Sequence, residues 1–156
     1  MTQKILIALD DSDNAMRAVD IVANSFSSDN TITLLHIMLD TVALCQMDSP
    51  ALTPLFKSQQ ASFCALEDKK RELVMEVMRR AKACLVDAGY AADKIEIKVE
   101  NMTRSVAQDI LQEARNGYDL IVTGRTGASG IKEFFLGSIS QKIISGAKDV
   151  SVLIAS

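Results

Sequence analysis

Gly124, Gly127, Gly137 and Ser138 sit in the stretch IVTGRTGASGIKEFFLGSIS, residues 121–140, where an apolar run gives way to residues with little side-chain bulk. Glycine accepts positive φ and lets a ligand reach main-chain N–H groups with no Cβ in between. Successive amides of this kind form a nest for an anion. Gly137 and Ser138 stand where a helix should begin, so its unpaired N–H groups and the positive end of its dipole would point at the same anion. A phosphate suits such a loop. The same residues also suit a plain strand exit followed by a serine-capped helix, and spacing alone leaves both readings open. Two standard phosphate fingerprints do not apply. GRTGASG is not G-x-G-x-x-G, and Gly137 is followed by Ser138 rather than by the lysine of a P-loop.

Other residues invite chemistry less strongly. Asp10 and Asp11 are adjacent carboxylates at the end of an apolar run, but neighbours leaving a strand point in different directions, so a shared proton is not expected. Asp10 suits a hydrogen-bond acceptor and Asp11 a charge at a helix start. His36 is the only histidine and falls inside an apolar run with no nucleophile beside it, which favours a structural role with a local hydrogen-bond partner. Arg125 and Lys132 flank the glycine loop and suit either phosphate neutralisation or a solvated surface. Cys45, Cys64 and Cys84 form no C-x-x-C and have only His36 as a nitrogen co-ligand, so a zinc site is not expected. Each reads as a small hydrophobe.

These residues must be positioned by elements that the hydrophobic pattern outlines. KILIAL (4–9) and DLIVT (119–123) are apolar runs of the kind found in parallel strands covered on both faces. TITLLHIM (31–38) is a second strand, and KIEIKVEN (94–101) alternates apolar with charged residues as a sheet-edge strand does. SVLIA (151–155) is the last. Between them lie a helix after Asp10 with Ser12 as N-cap, one from about 58 to 88 stopped by Gly89, one opened by Ser105 and Gln108 in capping-box register and closed by Gly117, and one over 138–147. Residues 39–57, interrupted by Pro50 and Pro54, fit no neat element and suit a lid, a contact surface or a disordered insert. The alternation predicts an α/β fold: one doubly wound, five-stranded parallel sheet with four helices. In strand order 3-2-1-4-5, ligands sit beyond the carboxyl ends where the winding reverses, between strands one and four. LDDS and TGRTG would then face each other across one crevice.

The whole chain sets limits. Its 156 residues suit one domain, 1–156, with a core that needs no staples. A net charge of −3 and a pI near 5.2 supply no basic footprint for nucleic acid. No apolar run is long enough to cross a bilayer, and the odd cysteine count with no leader-like start points to a reducing cytoplasm.

With the motif placed, the region resembles the ATP-binding branch of the universal stress protein family, marked by G-x2-G-x9-G-(S/T), which Gly124, Gly127, Gly137 and Ser138 fit. The similarity spans the chain, from KILIALDDSDNAMRAVDIV through LLHIM and DLIVTGRTG to SVLIA. The resemblance implies an adenine nucleotide alpha-hydrolase-like fold and a stress-response regulator that holds ATP, or AMP after turnover, with Mg²⁺ bridging the phosphates. It implies that Ala8, Leu9 and Asp10 meet adenine and ribose and that Ile37 contacts adenine through its backbone. Thr123, Gly124 and Arg125 would border the pocket, and Gly127, Gly137, Ser138, Ile139 and Ser140 would surround the phosphates, Ser140 lending a second hydroxyl. It also implies a homodimer through the last strand. Arg104 and Ser151 depart from the family's usual glycine and proline. No general base, P-loop lysine or arginine finger is visible, so an enzyme of fast phosphoryl transfer is not expected. The alternative is a nucleotide-independent interaction module of the same fold.

Overall fold

Strands and helices alternate along the chain: β1 (Lys4–Ala8), α1 (Ala15–Ser25), β2 (Thr31–Met38), α2 (Pro54–Asp87), β3 (Ile95–Asn101), α3 (Val106–Ala114), β4 (Leu120–Gly124), α4 (Ser138–Gly146) and β5 (Ser151–Ala155), with a 3₁₀ turn at Ala92–Lys94. The computed structural model describes residues 2–10, 15–39, 54–125 and 136–156. All strand pairs are parallel and the order is β3-β2-β1-β4-β5, as the α/β reading expects.

The apolar runs are explained by what covers them. Alternate side chains of a strand point to opposite faces. Ile5, Ile7, Ile32, Leu34 and Val122 pack with Val19 and Val22 of α1 and with Val74, Met78 and Leu85 of α2. Leu6, Ala8, Leu35, Ile37 and Ile121 pack on the other face with Ala107 and Ile110 of α3 and Ile143 of α4. The central strands therefore have no polar side to show.

α2 begins at Pro54, earlier than the expected start near 58, so residues 54–57 belong to a helix and not to the irregular stretch. Proline lacks an N–H that the first helical turn would leave unpaired anyway, and its fixed φ suits that turn. A residue that reads as a breaker is here the opening residue. Among the described side chains, the inward stripe Val74, Met78, Ala81 and Leu85 lies in the second half of α2. Arg71 donates to the side-chain oxygen of Asn101 at 3.0 Å, which brings it level with the carboxyl end of β3. The seventeen residues from Pro54 to Lys70, about 25 Å of helix at 1.5 Å per residue, thus run beyond the sheet. The helix ends as expected at Gly89, whose φ is +108°. Gly89 N–H donates to Val86 O and Tyr90 N–H to Leu85 O, the paired bonds of a Schellman stop.

Ser105 caps α3 by accepting from Gln108 N–H at 3.2 Å. The reciprocal half of the capping box differs from expectation, because Ser105 Oγ also lies 3.3 Å from Gln108 Oε1. Gly117, at φ +82°, turns the chain into β4. Ser12, Asp11 and residues 40–53, for which a cap, a helix-start charge and a lid or insert were expected, lie outside the described residues, as does Cys45. Cys64, read as a simple hydrophobe, is disulfide-bonded, whereas Cys84 keeps a free thiol. β3 and β5 form the two sheet edges. Val152, Leu153 and Ile154 of β5 remain half-buried.

Candidate functional site

The strands end at different heights, and this makes a notch. β1 pairs with β2 only as far as Ala8 with Leu35, while β2 continues through His36, Ile37 and Met38 beside β3. On the other side β1 pairs with β4 up to Ile7 with Val122, while β4 continues through Thr123 and Gly124 beside β5. The floor is the end of β1 with Leu9 and Asp10. One wall is the end of β2 and the other is the end of β4 with Arg125. This lies at the carboxyl edge where the winding reverses, the position at which open α/β sheets bind ligands.

Both walls are held by buried polar side chains. His36, 8% exposed, places Nδ1 2.7 Å from the carbonyl oxygen of Leu9. A carbonyl only accepts, so Nδ1 carries the proton. Ser140, 4% exposed, donates from Oγ to the carbonyl of Gly124 at 2.7 Å. Arg125 N–H donates to Ala155 O at 2.9 Å, and Gly137 N–H donates to Arg125 O at 2.8 Å, closing the neck of the loop between them.

α4 starts at Ser138 with Gly137 as its N-cap, and no side chain among the described residues caps it. The alternative of Ser138 as the cap is thereby replaced: Ser138 is the first helical residue, exposed, as is Ile139. Gln141 N–H, accepted by Gly137 O at 3.0 Å, makes the first intrahelical bond, and Gln141 Nε2 donates to Leu136 O at 2.8 Å. The helix therefore opens with its amino end towards the β4 wall.

The loop after β3 borders the same end of the sheet. Met102 N–H donates to Met38 O, extending the β2 wall. The Asp109 carboxylate accepts from Thr103 N–H and Thr103 Oγ, both at 2.7 Å, and from Arg104 N–H at 3.4 Å. Desolvation alone would raise the Asp109 pKa, but these hydrogen bonds and the Arg104 charge hold it below its ordinary value. Arg104, the departure noted in the sequence, is thus pinned through its backbone.

Of the expected site residues, Ala8, Leu9, Asp10, Ile37, Thr123, Gly124 and Arg125 converge on the notch, and Gly137, Ser138, Ile139 and Ser140 form the start of α4. Gly127 and Lys132 lie outside the described residues. Ser140 is the one whose chemistry differs. A serine has a single O–H to donate, and Ser140 gives it to Gly124 rather than offering it towards a ligand. In a sequence, buried and exposed hydroxyls look alike.

A second polar group escaped the sequence reading. Glu113, on the apolar face of α3, pairs with Lys98 at 2.8 Å and accepts from Tyr118 Oη at 2.9 Å and from Asn116 Nδ2 at 3.2 Å. A phenol has one proton, so Thr33, 3.0 Å from Tyr118 Oη, donates to it. Burial opposes the charge on Glu113, yet the Lys98, Tyr118 and Asn116 contacts keep its pKa below the usual range. Desolvation, aided by the Glu113 carboxylate, pushes Tyr118 up to about 12. Lys4 lies over the Tyr118 ring, 4.1 Å from its centre. The signal was a lone carboxylate three residues after Ile110 on an otherwise apolar stripe. The cluster braces α3 on the sheet, towards the end opposite the notch.

The chain matches the universal stress protein family over residues 1–155. It belongs to that family. Universal stress protein YxiE of Bacillus subtilis is 27% identical over 145 residues, covering 92% of each chain. Among solved structures, the hypothetical protein MJ0577 superposes with a TM-score of 0.70 at 23% identity, covering 99% of this chain and 96% of its own. A universal stress protein in complex with cAMP gives 0.60 at 19% identity over 98% and 95%. These structures share the universal stress protein fold with this chain. Among the described residues no helix is long and apolar enough to cross a membrane.

Proposed function

We propose that this universal stress protein binds an adenine nucleotide, ATP or AMP, in the notch above β1 and acts as a cytoplasmic regulator rather than as a fast phosphotransferase. The observation that carries the reading is the amino end of α4, which has no side-chain cap among the described residues and opens with Gly137 and Ser138 beside the β4 exit. Unpaired N–H groups and the helix dipole favour phosphate there. Gly124, Gly127, Gly137 and Ser138 cradle the phosphates, with Arg125 beside them. Ala8, Leu9 and Ile37 flank the base, and Asp10 accepts from the ribose. Mg²⁺ would come with the nucleotide, bridging its phosphates. That a relative of this fold was solved with cAMP is in keeping with an adenine nucleotide.

The test is to identify any nucleotide released on denaturing freshly purified protein, then to titrate ATP into stripped wild type and Gly127→Val. Wild type should bind and the folded variant should not. Folded wild type that binds no ATP would favour the nucleotide-independent interaction module.

We also propose a twofold homodimer through β5. The edge position of this strand and the half-exposure of Val152, Leu153 and Ile154 support it.

A further inference from the structure

We infer that His36 and Ser140 are a matched pair of positioning residues, one for each wall of the notch, and that neither touches the bound ligand. The inference rests on the nucleotide reading above. A peptide unit is planar, so fixing its carbonyl also fixes the N–H and Cα of the next residue. The carbonyl of Leu9 and the N–H of Asp10 belong to one such unit, as do the carbonyl of Gly124 and the N–H of Arg125.

At the β1 exit, Leu9 N–H is held by Leu35 O at 2.8 Å and Leu9 O by His36 Nδ1 at 2.7 Å. Both polar groups of Leu9 are thus tied to β2. His36 alternates with Leu35 and Ile37, which face α3 and α4, so it reaches Leu9 from the opposite side of the sheet. It sets the direction in which Asp10 leaves without occupying the ligand's face. At the β4 exit the same device recurs. Ser140 Oγ holds Gly124 O at 2.7 Å, and Ala155 O holds Arg125 N–H at 2.9 Å. The peptide that leads into the glycine loop is gripped at both ends. Ser140 also ties this peptide directly to the first turn of α4, so wall and helix opening move together. Ser138, exposed at the first helical position, is then the hydroxyl left for phosphate.

The two residues should fail in different ways. His36→Leu frees the Asp10 peptide and should weaken recognition of the ribose. Ser140→Ala frees the loop neck and should weaken recognition of the phosphates. His36→Asn offers a side-chain N–H close to where Nδ1 stood, and Ser140→Thr keeps the hydroxyl.

Binding of ATP, 2′,3′-dideoxy-ATP and adenosine is measured for wild type and all four variants alongside thermal unfolding. His36→Leu should lose about tenfold for ATP, the loss of one hydrogen bond's geometry, and its preference for ATP over the dideoxy form should fall towards one. His36→Asn should recover most of that preference. Ser140→Ala should keep the ribose preference but lose about tenfold of the advantage of ATP over adenosine, with Ser140→Thr recovering it. Equal losses for all three ligands, following the unfolding temperature, would overturn the inference and leave two packing residues. If folded wild type binds none of the ligands, the nucleotide reading fails and amide exchange decides this one. His36→Leu should then speed exchange at Asp10, and Ser140→Ala at Arg125, while Ile7 and Val122 stay unchanged; equal rates in variant and wild type would overturn it.

Discussion

At the scale of single residues, the legible ones were those whose role follows from type and local pattern. Asp10 ends an apolar run, Gly89 and Gly117 stand where the backbone needs positive φ, and Ser105 caps a helix. The illegible ones act across the sheet. Nothing near Glu113 in the chain announces Lys98, because the packing of α3 on the sheet brings them together, and Tyr118, though only five residues on, gives no sign in the sequence that its hydroxyl turns back to the carboxylate. Their coupling has a pH signature. The Glu113 pKa is lowered on folding from an ordinary 4.5, so its charge stabilises the protein fully above that value. The contribution is lost as pH falls through the folded pKa. Glu113→Gln should cost about 2 kcal/mol at pH 7, where Lys98 loses its counter-charge and Tyr118 a charged acceptor. The gap between variant and wild type should narrow as pH falls below 4.5 and close once Glu113 is protonated in the folded protein as well. Urea unfolding at a series of pH values reads this directly, and a gap that stays constant with pH would assign the cost to packing instead.

At the scale of elements, apolar runs buried on two faces give strands that a sequence shows plainly, and β1, β2 and β4 are of that kind. α2 shows where such reading fails. Its first half has no buried stripe among the described side chains, so periodicity gave no reason to start it before about 58, and Pro54 looked like an interruption. Arg71 ties the middle of the helix to Asn101 at the carboxyl end of β3, and the disulfide at Cys64 ties its first half. With that disulfide reduced, amide exchange along this one continuous helix should step, with residues 74–85, which carry the buried stripe, protected as strongly as the strands and residues 61–70 exchanging at least about tenfold faster. Uniform protection along α2 in the reduced protein would overturn this expectation. At α3, Ser105→Ala removes the acceptor for Gln108 N–H and should cost about 1 kcal/mol, measured by denaturant midpoint.

At the scale of the whole molecule, the strand order was legible because alternating strands and helices leave few right-handed arrangements. The place of the notch followed from the same order, but its depth did not, since that depends on how far each strand outlasts β1, and boundaries are set by pairing rather than by side-chain type. The proposed association through β5 belongs to this scale. Ile154→Lys places a charge on a half-buried edge strand and should convert a dimer to monomer in sedimentation or light scattering. A dimer that persists unchanged would move the interface elsewhere.

The central place of β1 has a consequence in time. β1, made before the other four strands of the sheet, must wait for Leu120 before its second neighbour exists, because Ile5 pairs with it across 115 positions. At translation rates that interval is on the order of ten seconds. Late in it, once β3 is made, a nascent sheet of β3, β2 and β1 carries one bare apolar edge, the same edge beside which the notch later forms. The growing chain is most vulnerable to mispairing where the finished protein is most useful.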